Sequence, residues 1–165
     1  EKITDLKLFH NHMTIEVILP YFDMKSPSFK KLVTEFRIKM FEEVAKSDLD
    51  GLIFTYVWKL DSSSDCYFIN TIVNIFERAK ATVCYVELEA STEERLKRNI
   101  SPNRLRYKPS KNDFDASEKE LLEIDRKHIL NSDKGEFRNK NHLKINNTEL
   151  NAERAAEIIK ERFSL

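Results

Sequence analysis

The run Gly51-Leu-Ile-Phe-Thr-Tyr-Val-Trp58 limits the fold more than any other stretch of this chain. Nearly every residue in it is apolar, β-branched or aromatic, with no alternation of wet and dry positions. A strand with one face in water alternates. A continuous run suits a strand covered on both faces, as in parallel sheets packed between helices. The flanking sequence agrees. Upstream, Phe29, Leu32, Val33, Phe36, Met40, Phe41 and Val44 recur at helical spacing, and downstream Phe68, Ile69, Ile72, Val73, Ile75, Phe76 and Ala79 form a wider stripe.

Three more short runs have β character: Lys7–Phe9, Thr82–Leu88 and His142–Asn146. Capping boxes at Ser91-Thr-Glu-Glu94 and Ser117-Glu-Lys-Glu120 predict two helix starts, and a last helix follows Asn151. Strands alternating with helices predict an α/β fold, a parallel sheet flanked by helices on both faces, in a single domain over residues 1–165. In such sheets the ligand lies beyond the carboxyl ends of the strands. His10–His12, Asp61–Asp65, Ser91–Asn99 and Asn147-Thr148 follow successive strands, so these polar clusters are expected to share one edge.

Composition narrows the partners. Among 165 residues, 28 basic and 28 acidic side chains cancel, leaving no net positive field to draw a polyanion, so no nucleic-acid partner is expected. No apolar run approaches the roughly 20 residues of a membrane span, so no membrane partner is expected either. Cys66 and Cys84 are too few and too poorly spaced for a disulfide scaffold or a zinc site, and read as reduced thiols of a cytoplasmic protein. A monomer or weak homodimer is expected.

Against this neutral background the segment Arg95–Lys111 stands out. It holds seven basic residues (Arg95, Lys97, Arg98, Arg104, Arg106, Lys108 and Lys111) and no acidic one. A solvated helix end and loop would account for it. So would a phosphate-binding lid, because guanidinium forks match phosphate oxygens and a hinged arginine loop can neutralise charge during phosphoryl transfer. Pro102 and Pro109 bracket the expected loop.

The ordered set "KLFHNHMTIE", "VELEASTEERLKRN", "RLRYKPSK" and "LKINNTEL" resembles the P-loop small-molecule kinases, and within them the shikimate-kinase-like and nucleotide-kinase-like proteins of bacteria. The resemblance implies a three-layer P-loop-kinase architecture and an ATP-dependent phosphotransferase using ATP and magnesium on a small-molecule acceptor. It places Arg95 and Arg98 near the adenine, with Asn147 and Thr148 on its other side. Arg104 and Arg106 become lid residues that meet the transferring phosphates, within a basic lid segment of about residues 95–115. The turn after "LKLF" becomes the acceptor site.

The family's Gly-x-x-x-x-Gly-Lys-Ser/Thr loop, whose amides cradle phosphates, is missing: the glycines are Gly51 and Gly135, and neither belongs to such a motif. In the family that loop follows the central strand. The chain, which opens at Glu1, is therefore expected to be part of a longer protein, with its central strand supplied from elsewhere. A P-loop-less relative is the alternative. No aspartate closes the second strand, so magnesium is expected to be held through phosphate and water.

His10-Asn11-His12 supplies two imidazoles, fewer than a metal site needs. A turn before a helix is one reading. An acceptor pocket is the other, with His10 and Asn11 binding the substrate and His12 near the acceptor hydroxyl, where an imidazole can take a proton. Glu16 and Asp23 are fallback bases. Rival functions are a non-catalytic nucleotide-binding module and a kinase acting on a nucleic-acid end, the latter disfavoured by the zero net charge.

Overall fold

The computed structural model describes residues 2–133, 137 and 141–165. Gly135 lies outside them. The described residues form four strands and seven α-helices in alternation: β1 (Lys7–His10), α1 (His12–Ile18), α2 (Pro27–Val44), β2 (Leu52–Thr55), α3 (Ser63–Arg78), β3 (Tyr85–Glu89), α4 (Thr92–Asn99), α5 (Pro102–Tyr107), α6 (Phe114–Lys127), β4 (His142–Asn146) and α7 (Ala152–Phe163). The chain is thus mixed α/β with parallel strands.

The strands make two sheets rather than one. β1 pairs with β2 from Lys7↔Leu52 to His10↔Thr55, and β3 pairs with β4 from Tyr85↔His142 to Glu89↔Asn146, all parallel. β2 and β3 do not pair. Among the described residues each therefore has one edge without a strand partner, although Gly51–Trp58 has the composition of an interior strand, and its ladder is shorter than that run.

Packing within the first pair is aromatic. Phe41, fully buried on α2, meets Phe9 edge-on at 5.6 Å and Phe54 at 5.0 Å between ring centroids. A neighbouring cluster joins Ile15 of α1 to Phe29 and Val33 of α2. Gly51 enters β2 where a side chain does not fit: at φ +155°, a Cβ would lie 2.7 Å from Leu6 Cδ2. Its carbonyl accepts from Lys7 N–H at 3.0 Å, which starts the β1–β2 ladder.

The second pair is barely covered. Val86 and Leu88 project from β3 at 38% and 51% exposure. The whole chain exposes 11475 Å², against roughly 8,500 Å² from the surface scaling of a compact monomer of 19.5 kDa. Val86 and Leu88 are apolar positions of β3 that remain open.

The four polar clusters do not share one edge, contrary to the expectation. Trp58, just past the carboxyl end of β2, lies 6.5 Å from Tyr85 at the amino end of β3 and 5.5 Å from Phe137, which stacks on His142 at 4.7 Å. Leu60 N–H donates to the Ile129 carbonyl at 2.8 Å. Asp61 accepts from Ile129 N–H at 3.2 Å and faces His128 Nδ1 at 3.2 Å. The carboxyl end of the first pair thus meets the amino end of the second. Among the described residues no strand lies between β2 and β3, and Trp58, Tyr85 and Phe137 pack against one another at this junction.

Two local expectations are also corrected. Ser117 does not cap a helix; α6 starts four residues earlier, where Asp113 accepts from Ala116 N–H at 3.0 Å. Ser91 does cap α4, accepting from Glu94 N–H at 3.2 Å, but its own N–H donates to Thr148 Oγ1 at 3.0 Å rather than to Glu94. Both cysteines are free and half-buried. Among the described residues, no helix is long and apolar enough to cross a membrane.

Candidate functional site

Two polar clusters form around the basic segment, which is helical rather than a loop. Pro102 occupies the first turn of α5, and Pro109 opens a single 3-10 turn at Pro109–Lys111. Each proline lacks an N–H that a helix start would leave free, which is why both suit these positions.

The first cluster joins this segment to the turn after β1. His12, only 5% exposed, has its Nδ1 2.9 Å from Glu16 Oε1, one helical turn along α1. Ser110 of the 3-10 turn donates to the same carboxylate twice, from Oγ to Oε1 at 2.6 Å and from N–H to Oε2 at 3.2 Å. Tyr107 meets the His10 ring edge-on at 5.4 Å, and His10 Nδ1 is buried with no partner among the described residues. Asn11 contributes its backbone: its carbonyl accepts from Thr14 Oγ1 at 2.9 Å and Arg37 Nη2 at 2.8 Å. Arg37 Nε donates to Thr14 Oγ1 at 2.9 Å, and the residue is 6% exposed.

The electrostatics follow from burial beside cations. Burial lowers the affinity of His12 for a proton; Glu16 opposes this, while Lys108 and Lys111 reinforce it. His10 is lowered by burial and by Lys108, against Glu16. Burial would raise Glu16, but the Ser110 hydroxyl, His12 and the Ser110 N–H hold it below its ordinary value. Lys108 is lowered by burial, Arg104 and Lys111, with Glu120 the opposing charge. Glu120 already pairs with Lys111. A neutral imidazole at such a contact donates Nδ1–H to the ionised carboxylate and keeps Nε2 as its acceptor nitrogen.

The second cluster joins α4 to the turn after β4. Arg98 donates from Nη1 to Asn147 Oδ1 at 3.1 Å, and from Nη2 to the Asn147 and Thr148 carbonyls at 2.7 and 3.3 Å. Its Nε donates to Glu94 at 2.7 Å. Three of the four residues assigned to nucleotide binding therefore meet. The fourth, Arg95, faces α6 and pairs with Asp125 at 2.6 Å.

The lid arginines part company. Arg104 Nη1 donates to the Asn99 carbonyl at 3.2 Å and to Ser117 Oγ at 3.3 Å, and Ser117 Oγ donates to Asn99 Oδ1 at 3.2 Å. Arg106 is exposed, 5.9 Å over the Tyr107 ring. Tyr56 packs on Phe54 and Phe68, and burial followed by the Asp65 charge pushes its hydroxyl up to about 12. Among the described residues, no three His, Cys, Asp or Glu side chains converge as metal ligands. Asp61, the first carboxylate after β2, is engaged with His128 Nδ1 and Ile129 N–H.

Arg37, Lys108, Ser110 and Asn99 were not singled out in the sequence as separate site residues. Arg37 had a local signal: it lies midway between Val33 and Phe41 on the apolar stripe of α2, four residues from each, where a cation must be buried. The pairing of Glu16 with Ser110 spans 94 residues and leaves no local trace. Comparisons of this chain with protein-family models, curated proteins and solved structures give no match.

Proposed function

We propose that this chain forms most of an ATP-dependent phosphotransferase of P-loop-kinase type acting on a small-molecule acceptor. In this reading the intact protein supplies a strand between β2 and β3 together with the phosphate loop. The observation that carries the acceptor site is the tie between the turn after β1 and the basic segment through Glu16 and Ser110. The unpaired edges of β2 and β3 and the open apolar surface of β3 support the inserted strand. With that strand in place, the two pairs would align their carboxyl ends in a three-layer fold.

Arg98, Asn147 and Thr148 would then border the nucleotide base, and the exposed Arg106 would leave the Tyr107 ring to meet the transferring phosphoryl group. The acceptor oxygen attacks the γ-phosphorus, the bond to ADP breaks, and the acceptor proton passes to His12 Nε2. Positioning and charge neutralisation supply most of the acceleration in such a transfer. The test is phosphoryl transfer from ATP by the full-length protein to a panel of sugars, nucleosides and antibiotics. Transfer to none of them, with no ATP binding, contradicts the reading.

One observation favours the second reading, a nucleotide-binding module without catalysis. Arg95, Arg98 and Arg104 are all satisfied by protein acceptors, so each would have to give up a bond to reach a phosphate. ATP binding without transfer to any acceptor would select it.

A further inference from the structure

We infer that Glu16 is a positioning residue that latches the basic segment onto the turn after β1 and, through the same carboxylate, fixes which nitrogen of His12 carries the proton. The proposed phosphotransfer gives this arrangement its use; the latch itself rests on geometry alone.

Glu16 Oε1 accepts two bonds, from His12 Nδ1 at 2.9 Å and Ser110 Oγ at 2.6 Å, while Oε2 accepts Ser110 N–H at 3.2 Å. The two Ser110 bonds engage both carboxylate oxygens, and Oε1 also faces His12 Nδ1, so they favour the Glu16 rotamer that meets the imidazole. The Ser110 N–H is one that a 3-10 turn leaves without a partner of its own, so Glu16 also completes that turn. Spacing of i to i+4 puts Glu16 and His12 on the same face of α1.

Every charged group around His12 fits this role. Lys108 and Lys111 approach from the basic segment, and Arg37 backs the turn from α2 through the Asn11 carbonyl. Glu120 is the counter-charge to Lys111, and His10 stands beside Tyr107. Glu16 is therefore the carboxylate shared between α1 and the segment. Lifting the segment removes two of its three donors and frees the rotamer that orients His12. Segment position and imidazole geometry are coupled through one side chain.

The test uses the full chain labelled with 15N in histidine, together with amide exchange, and needs neither ATP nor acceptor. Wild-type His12 should show the Nδ1-protonated neutral tautomer. Glu16→Ala should shift the ring toward the Nε2-protonated form and speed amide exchange across residues 102–111 by about tenfold, with α2 unchanged. Ser110→Ala, which removes one of the two segment donors and leaves Glu16 beside His12, should speed exchange in the same segment severalfold and move the tautomer less than Glu16→Ala does. If Glu16→Ala leaves the tautomer or the segment's exchange as in wild type, the inference fails. If that variant does not fold, Ser110→Ala decides alone, and unchanged exchange over 102–111 overturns the latch. Absence of phosphotransfer would sink the proposed function and leave these results standing.

Discussion

The Arg37 guanidinium lies 2.8 Å from the Asn11 carbonyl and 2.9 Å from Thr14 Oγ1, so α2 holds the turn after β1 through a buried cation. Burial lowers its proton affinity, with Tyr56 acting against this. A buried cation is tolerated when its N–H groups are satisfied, and removing it strips the Asn11 carbonyl of a donor. Arg37→Met should lower stability in urea by about 2–4 kcal/mol with the m-value unchanged. Arg37→Lys should recover only part of this, because one ammonium cannot reproduce the fork. A loss below about 0.5 kcal/mol, the range of ordinary surface changes, would show that Arg37 does not hold the turn.

Much of the secondary structure was legible. The β4 run, the long α2 and the Asn151 cap were readable because periodicity and capping are local. The errors arose where two local signals competed or a distant contact decided. Asp113 took the cap of α6 and left Ser117 inside the helix, where it is buried against Asn99 and Arg104. Pro102 and Pro109 read as loop brackets, yet each sits in a first turn, the position a helix allows to proline. The offset of the two sheets could not be read at all, since Trp58, Tyr85 and Phe137 meet there across long separations. At the candidate site, His12 and Glu16 were each legible as a possible base, and neither their contact nor the role of Ser110 was.

The Asn99–Ser117–Arg104 network ties the middle of the basic segment to α6. Asn99 is 2% exposed and Ser117 4%. Ser117→Ala removes a donor to Asn99 Oδ1 and an acceptor for Arg104. It should cost about 1–2 kcal/mol, read as a lower urea midpoint. Ser117→Cys, of similar size but a weaker partner, should fall between. Wild-type stability in Ser117→Ala would show that the network contributes nothing to the fold.

Glu87 gives the second sheet a pH dependence. Burial would raise its proton affinity, but the Ser132 hydroxyl, the Asn131 amide, the Ser132 N–H and Lys144 outweigh this and hold it at about 2, below the ordinary 4.5. A carboxylate lowered on folding stabilises the native state above its unfolded value, and that contribution fades as pH falls toward the folded value. Wild-type stability should therefore drop between about pH 4.5 and pH 2 more steeply than that of Glu87→Gln. Parallel acid titrations of the two proteins would show that Glu87 is not tied to this network.

Gly51 should resist substitution. Its φ of +155° and the 2.7 Å approach of Leu6 Cδ2 leave a methyl group poorly placed where β2 begins. Gly51→Ala should lower the urea midpoint by the equivalent of about 1 kcal/mol or more. An unchanged or raised midpoint would mean that Leu6 yields and the backbone relaxes.

The proposed phosphotransferase stands or falls on nucleotide binding, and thermal denaturation of the full-length protein with and without ATP measures it directly. At about one hundred times its dissociation constant, ATP should stabilise the native state by about 2.7 kcal/mol, raising Tm by about 5 °C or more. His12→Ala should keep that shift and lose transfer, whereas Arg98→Ala, which frees Asn147 and Thr148, should shrink the shift. A wild-type protein whose Tm does not move in millimolar ATP, with or without magnesium, would contradict the assignment.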